Sequence, residues 1–301
     1  EFRRVLFRSA ELVVLQETCN DTETAAYADV LLPAAGWGEK EGTVTNSERR
    51  ISRVRPAVAA PEEARPDWRI ACDFALELER RLHGHTSTLF AFDSPRQIFN
   101  EYRELTRGRN TDITGLGYAT LDAKGPQQWP YSIDARHGTQ RLYENGVFPT
   151  ASGRCMISSI KHGMADHVAN HESMASAPAL ARRYPLAMIS PPARNFLNST
   201  FVNLRSLRDI EGEPLLEIHA DDAAARGLAE GQPVRVFNDR GSYLCRTAIS
   251  ARARPGVVNG LGIWWRKLGM DGTNVNQLTS QHLTDLGRGP VFYDCLVEVA
   301  L

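Results

Sequence analysis

At 301 residues with 42% hydrophobic and 24% charged side chains, the chain is long enough for two domains with cores of their own, and disorder is not its default state. A formal net charge of −1 excludes a global pull toward nucleic acid or an anionic membrane surface, and no apolar run approaches the ~20 residues a bilayer-crossing helix needs. The five cysteines, Cys19, Cys72, Cys155, Cys245 and Cys295, are scattered without a C-x-x-C pair, which argues against a disulfide framework and a self-contained zinc or iron–sulfur site and suits a reducing cytoplasm.

Residues 1–9, EFRRVLFRS, read as non-native, adapter-derived sequence. The rival reading, a short basic targeting peptide, lacks an apolar core or cleavage pattern behind its arginines. No initiator Met is present, so the chain reads as a piece of a longer protein whose natural part starts near Ala10.

Residues 12–15, LVVL, form a buried-type strand, followed by polar residues 16–24, small residues 25–28 and a second apolar run at 30–32 that stops at Pro33. Strand, polar turn, short helix and strand make a βαβ unit, which places ligands at the carboxyl ends of its strands. Glu17, Asp21 and Thr22 sit there and are the first candidates to touch a bound molecule; capping of the short helix by Asp21 or Thr22 is the structural alternative. Residues 36–50 read as a charged loop in which Arg49 and Arg50 either pair with carboxylates or attract an anion. Apolar residues at three- and four-residue steps predict a helix from Asp67, as N-cap, to Gly84, as C-cap. A second helix starts at Ser94-Pro95 and runs to Leu105, with Arg103, Arg107 and Arg109 as a solvated helix end or a basic rim. Turn signals between 112 and 130 predict an irregular region. Residues 161–183 read as a linker, and His167 and His171 within it lack the companions that a metal site needs. From residue 184 onward short strands alternate with turns, among them a hairpin loop at 238–241, and this spacing predicts a small β-barrel.

The string TETAAYADVLLPAAGWGEKEGTVTNSERRISRVR resembles the late part of the molybdopterin-guanine-dinucleotide oxidoreductases, closest to assimilatory nitrate reductase with formate dehydrogenase next. ELTRGRNTDITGLGYATL and GPQQWP extend that likeness to about Trp129, and FPTASGR resembles the joint that leads out of the catalytic half. LEIHADDAAARGLAEGQPVRVFNDRG looks like the carboxyl-terminal dinucleotide-binding domain of the same enzymes, a double-psi β-barrel. The resemblance implies an α/β remnant (βαβ plus helices) over 10–160, a linker over 161–183 and a double-psi β-barrel domain over 184–301.

It also implies a cofactor, molybdopterin guanine dinucleotide held as Mo-bis-MGD. Family members place a carboxylate and a threonine at the positions of Glu17 and Thr22, although this chain has one more residue between them than the formate dehydrogenases. The loop 190–200 matches one that wraps a guanine dinucleotide, with Asn195 and Asn198 as contacts or as plain turn formers. Near the end, the family's aromatic pair and Asn-x-Leu-Thr loop correspond to Trp264-Trp265 and to Asn276 and Thr279, with Asn276 reading the pterin.

The family's cysteine cluster for a 4Fe–4S centre and its molybdenum ligand have no counterpart here, so both are expected only upstream and this chain alone is expected to be inactive. The implied parent reaction is nitrate reduction to nitrite, fed by an electron-donor protein or domain, with formate oxidation as the alternative. The reading from a different class is a stand-alone nucleotide- or partner-binding module. The barrel strings ISPPARNFLNSTFVNLRSLR and NGLGIWWRKLG resemble a broader set of molybdopterin oxidoreductases, which leaves open a distinct subfamily or a join near Gly153.

Overall fold

The computed structural model describes residues 9–157 and 166–301, so residues 1–8 of the adapter-like stretch and residues 161–165 of the linker fall outside the described residues. The chain divides after Ile157 into two compact units.

In the first unit, β1 (Val14–Glu17) pairs in parallel with β2 (Val30–Pro33), Val14 opposite Val30 and Glu17 opposite Pro33. The strand starts two residues later than its apolar run because the residue before it is drawn into the crossover. Val13 donates to the Asp29 carboxylate and its carbonyl accepts from Asp29 and Val30. Between the strands lies a 3-10 turn, Glu23–Tyr27, where the sequence predicts a short α-helix. A crossover near the minimum length for a parallel pair leaves room for a tight turn and little more.

The stretch read as a charged loop is in part a hairpin. β3 (Gly42–Thr45) runs antiparallel to β4 (Arg50–Val54), which also pairs with β5 (Gln127–Gln128). The missed signal is the β-branched run Thr43-Val44-Thr45, which pairs with Arg53, Ser52 and Ile51. Its charges are paired within the stretch and beyond it: Arg50 on Glu48 and Arg53 on Glu41, and also Arg53 on Asp122 and Lys40 on Asp67. Arg49 donates to the carbonyls of Trp129, Thr139 and Gln140, which favours a structural role for it over anion attraction.

Helix Asp67–His83 ends on Gly84 at φ +75°, a left-handed conformation that glycine adopts without a Cβ penalty. Its N-cap is Pro66, not Asp67. The Asp67 carboxylate instead accepts from Lys40 Nζ at 2.5 Å and Gln16 Nε2 at 2.6 Å, and the Lys40 hydrogen bond holds its pKa below the usual aspartate range. Helix Pro95–Leu105 starts as its sequence predicts, with Ser94 Oγ accepting from the Gln97 amide and proline in the first turn. Arg103 is not part of a basic rim: it lies over Gly117 and donates to the Thr114 carbonyl. The region expected to be irregular contains helix Tyr118–Lys124, whose Tyr118 and Leu121 join Ile51, Phe99, Ile113, Leu116 and Tyr131 in the core of this unit. Seven residues between two glycines give too short a period to be read from sequence.

The second unit is a closed six-stranded barrel. Its strands are β6 (Leu186–Ile189), β7 (Leu215–Ile218), β8 (Pro233–Asn238), β9 (Gly241–Ile249), β10 (Val257–Gly260) and β11 (Leu296–Ala300), in the order β10-β6-β11-β8-β9-β7. β6 is parallel to β10 and β7 to β9, and the other neighbours are antiparallel. Closure leaves no free sheet edge and turns alternate residues inward. Leu186, Met188, Leu216, Ile218, Val236 and Val258 fill the interior. The hairpin loop predicted at 238–241 joins β8 to β9, with Asn238 opposite Gly241.

The later part of the stretch read as linker packs on this barrel. The His171 ring stacks on His282 at 4.5 Å, Glu172 is buried against Arg240, and helix Pro178–Ala181 contributes Ala181 to a cluster with Tyr184 and Leu296.

Candidate functional site

In the first unit the candidates are the end of β1 and the loop that follows it. Glu17 is its last residue, and one of its oxygens, Oε1, accepts from the Thr18 amide at 2.8 Å and hydroxyl at 3.1 Å. The other oxygen remains available to an N–H donor. Thr22 occupies the N-cap position of the 3-10 turn but makes no side-chain capping bond. Its hydroxyl is buried and has no hydrogen-bond partner among the described residues. An orphaned buried hydroxyl costs free energy unless a ligand or water satisfies it. Position suits Thr22 for capping, but bonding does not. Glu17 thus ends β1 as an acceptor, and Thr22, at the start of the 3-10 turn that follows, carries an unspent donor.

In the second unit three segments are stitched together around Trp264. The loop 190–200 meets the segment after β10 through a Pro192–Gly262 bridge and the Ala193 amide on the Gly262 carbonyl at 2.5 Å. Trp265 Nε1 donates to the Ser199 carbonyl at 2.7 Å, and Asn274 Nδ2 to the Trp264 carbonyl at 2.7 Å. Trp264 is buried edge-on against Phe196, so its role is packing.

The four candidates here differ in what they have left to offer. Asn195 gives its backbone amide and one of its two Nδ2 hydrogens to Glu211 Oε1, at 2.5 and 2.7 Å, and keeps its side-chain oxygen and the second Nδ2 hydrogen. Asn198 is exposed at φ +53°, a conformation asparagine tolerates better than most residues, and its carbonyl accepts from Ile263 at 3.4 Å. Asn276 lies in the 3-10 turn Val275–Gln277, exposed, with its side-chain amide unbonded among the described residues. Thr279 closes that turn by donating to the Asn276 carbonyl at 3.3 Å. Asn195, Asn198, Asn276 and Thr279 thus lie on segments that contact one another, while Glu17 and Thr22 belong to the other unit.

Two of the residues behind these loops, Asn238 and Arg240, carry no functional signal in the sequence, while Cys295, just before β11, reads as buried and inert and is buried. Asn238 Nδ2, Arg240 Nε and the Cys295 thiol all donate to the Leu278 carbonyl, at 3.1, 2.6 and 3.2 Å. In sequence, Asn238-Asp239-Arg240-Gly241 shows only hairpin composition. Burial pushes Cys295 up to about 11 and Cys245 up to about 12, so neither is a nucleophile near neutral pH. Tyr243 lines a small cavity with Asn274 and Val275, its hydroxyl buried beside the Cys245 thiol, and burial raises its pKa. Gly260 makes that placement possible, since a Cβ there would come within 2.7 Å of the hydroxyl. Among the described residues no group of three or more His, Cys, Asp or Glu could hold a metal ion, and no helix is long and apolar enough to cross a membrane.

A long, phosphorylated, amide-rich ligand needs acceptors for ring N–H groups, donors for phosphate, and side chains not already committed. Glu17, Thr22, Asn198 and Asn276 meet that requirement. Asn195 meets it in part, with one of its two Nδ2 hydrogens already given to Glu211.

Residues 186–296 match the profile of the molydopterin dinucleotide binding domain, and residues 3–77 that of molybdopterin oxidoreductase. The chain is 30% identical over 92% of its length to the assimilatory nitrate reductase catalytic subunit of Bacillus subtilis, covering 36% of that protein. It is 30% identical over 97% of its length to the F420-dependent formate dehydrogenase subunit alpha of Methanocaldococcus jannaschii, covering 39%. Among solved structures, acetylene hydratase from Pelobacter acetylenicus superposes with a TM-score of 0.74 at 19% identity, over 98% of this chain and 41% of that one, which supports the fold. The chain spans about two fifths of the length of these curated relatives. It belongs to the molybdopterin oxidoreductase family, and its barrel is that family's dinucleotide-binding domain.

Proposed function

We propose that this chain grips the pterin dinucleotide of a bis-MGD molybdoenzyme, and that the whole protein is a cytoplasmic reductase of nitrate to nitrite. The barrel is read as a double-psi barrel, with a 4Fe–4S cluster and the molybdenum ligand supplied by sequence outside this chain. When bound, the molybdenum centre supplies two-electron oxygen-atom transfer. The residues of this chain bind and orient. Glu17 accepts from a guanine or pterin edge, and Thr22 donates to a phosphate. Asn195 and Asn198 line the dinucleotide loop, while Asn276, held by Thr279, reads the pterin. An electron-donor protein or domain completes the cycle.

The observation that carries this reading is the Thr22 hydroxyl, buried and unpartnered in the crossover between two parallel strands, within the segment matched to the oxidoreductase profile. Formate oxidation is the second reading, favoured by the likeness to the methanogen formate dehydrogenase. The test is to express the full-length protein with its cofactor and supply reduced viologen with nitrate, and separately formate with an oxidised acceptor. Nitrite formation is the expected result. Turnover of formate alone gives the second reading, and purification without any molybdopterin dinucleotide overturns both.

A further inference from the structure

The turn that carries Asn276 is held at both ends, and one residue dominates the rear anchor. At the front, Asn274 fixes the turn to the Trp264 carbonyl and accepts from the Asn276 amide at 3.1 Å. At the rear, three donors converge on the Leu278 carbonyl, and the shortest contact comes from Arg240 Nε at 2.6 Å. The other guanidinium nitrogens of Arg240 grip both oxygens of Glu172, which is only 9% exposed and also accepts from the Leu296 amide at 3.1 Å. That bidentate pairing fixes the plane of the guanidinium and so the direction of Nε. Gly241, next in the chain, lets the hairpin lie against Gln277, whose carbonyl would sit 3.4 Å from a Cβ placed there. Between two fixed ends, Asn276 stands exposed with its amide uncommitted.

We propose that Arg240 is a positioning residue for the cofactor: oriented by Glu172, it holds the 274–279 turn so that Asn276 is presented to the pterin in one geometry. This rests on the reading of Asn276 as a pterin contact. Arg240 does not touch the ligand and its charge is not what acts, since Glu172 neutralises it. Direction matters here. Lysine has one compact ammonium and cannot serve both Glu172 and the Leu278 carbonyl in the arginine's geometry.

The experiment uses the chain itself, titrated anaerobically with metal-free molybdopterin guanine dinucleotide, with R240K, N276A and the double variant alongside. Amide hydrogen exchange across residues 274–279 is read in the same samples without ligand. R240K is expected to weaken binding about tenfold and to speed exchange in the turn. In the N276A background R240K is expected to add no more than about twofold, because its effect runs through Asn276. A merely structural role would give additive losses. Additive losses, unchanged affinity or unchanged exchange in R240K each overturn the proposal. Absence of binding by the unmodified chain, with exchange in R240K still accelerated, instead overturns the cofactor reading under Proposed function, and the pterin-presenting role falls with it.

Discussion

The Arg49 guanidinium donates to the Trp129 carbonyl, joining positions eighty residues apart in sequence, and lies 5.4 Å from the indole centroid. Two further carbonyls, of Thr139 and Gln140, complete its donor set. Arg49→Ala leaves three carbonyls short of a donor and is expected to cost the first unit about 2 kcal/mol in urea unfolding. The same variant should leave anion binding untouched, because this arginine is spent on backbone. Nitrate affinity lost in the full-length enzyme without loss of stability would contradict that assignment.

Glu172→Ala strands a partly buried guanidinium beside Cys295. The expected loss is about 3 kcal/mol, near the lower end for broken buried pairs because Arg240 keeps some solvent contact. Thermal unfolding of the barrel unit measures it. A loss under about 0.5 kcal/mol would mean that residues 171–181 contribute nothing to the fold of the barrel.

The barrel interior and the outer face of helix Asp67–His83 should respond in opposite ways to truncation. Leu216 is fully buried, and Leu216→Ala is expected to cost about 3–4 kcal/mol in chemical denaturation. Leu82 is 67% exposed, and Leu82→Ala should stay within about 0.5 kcal/mol.

Alkaline pH should weaken the barrel before it affects any surface pair. Burial raises Cys245 and Cys295 to about 12 and about 11, above the ordinary thiol value. A group raised in the folded state contributes stability that is complete below its unfolded pKa and is lost as pH climbs toward the folded one. Unfolding free energy is therefore expected to fall between about pH 9 and pH 11, by up to about 1.4 kcal/mol per pH unit for each thiol. Cys295→Ala should flatten that slope. An equally steep slope in the variant would assign the loss to other groups. At neutral pH a thiol reagent should label exposed Cys155 in the native state and spare Cys245 and Cys295.

Legibility in the sequence tracked the range of the forces involved. Ser94-Pro95 and Gly84 announce helix ends because capping is a local interaction, and the 238–241 turn is visible for the same reason. Asp67 looked like a cap because the competing partners, Lys40 and Gln16, are distant in sequence. The hairpin at 42–54 was hidden by the charged residues around its β-branched core, and some of those charges turn out to be mutual partners. Glu17, Thr22 and Asn276 could be singled out by type and position. That Thr22 is unpartnered, that Asn195 spends one of its donors on Glu211, and that Arg240 stands behind Asn276 are facts of tertiary packing. No local pattern encodes them.

If side chains left unspent by the fold grip the pterin dinucleotide, Thr22→Val is the sharpest probe of that grip. Valine matches threonine in shape and removes only the hydroxyl, so without ligand the variant should be as stable as the parent or slightly more stable. Anaerobic calorimetric titration with molybdopterin guanine dinucleotide should then show affinity falling about tenfold. Equal affinity in the parent and the variant, or a stability loss in Thr22→Val with no ligand present, would show that the Thr22 hydroxyl does not bind the cofactor.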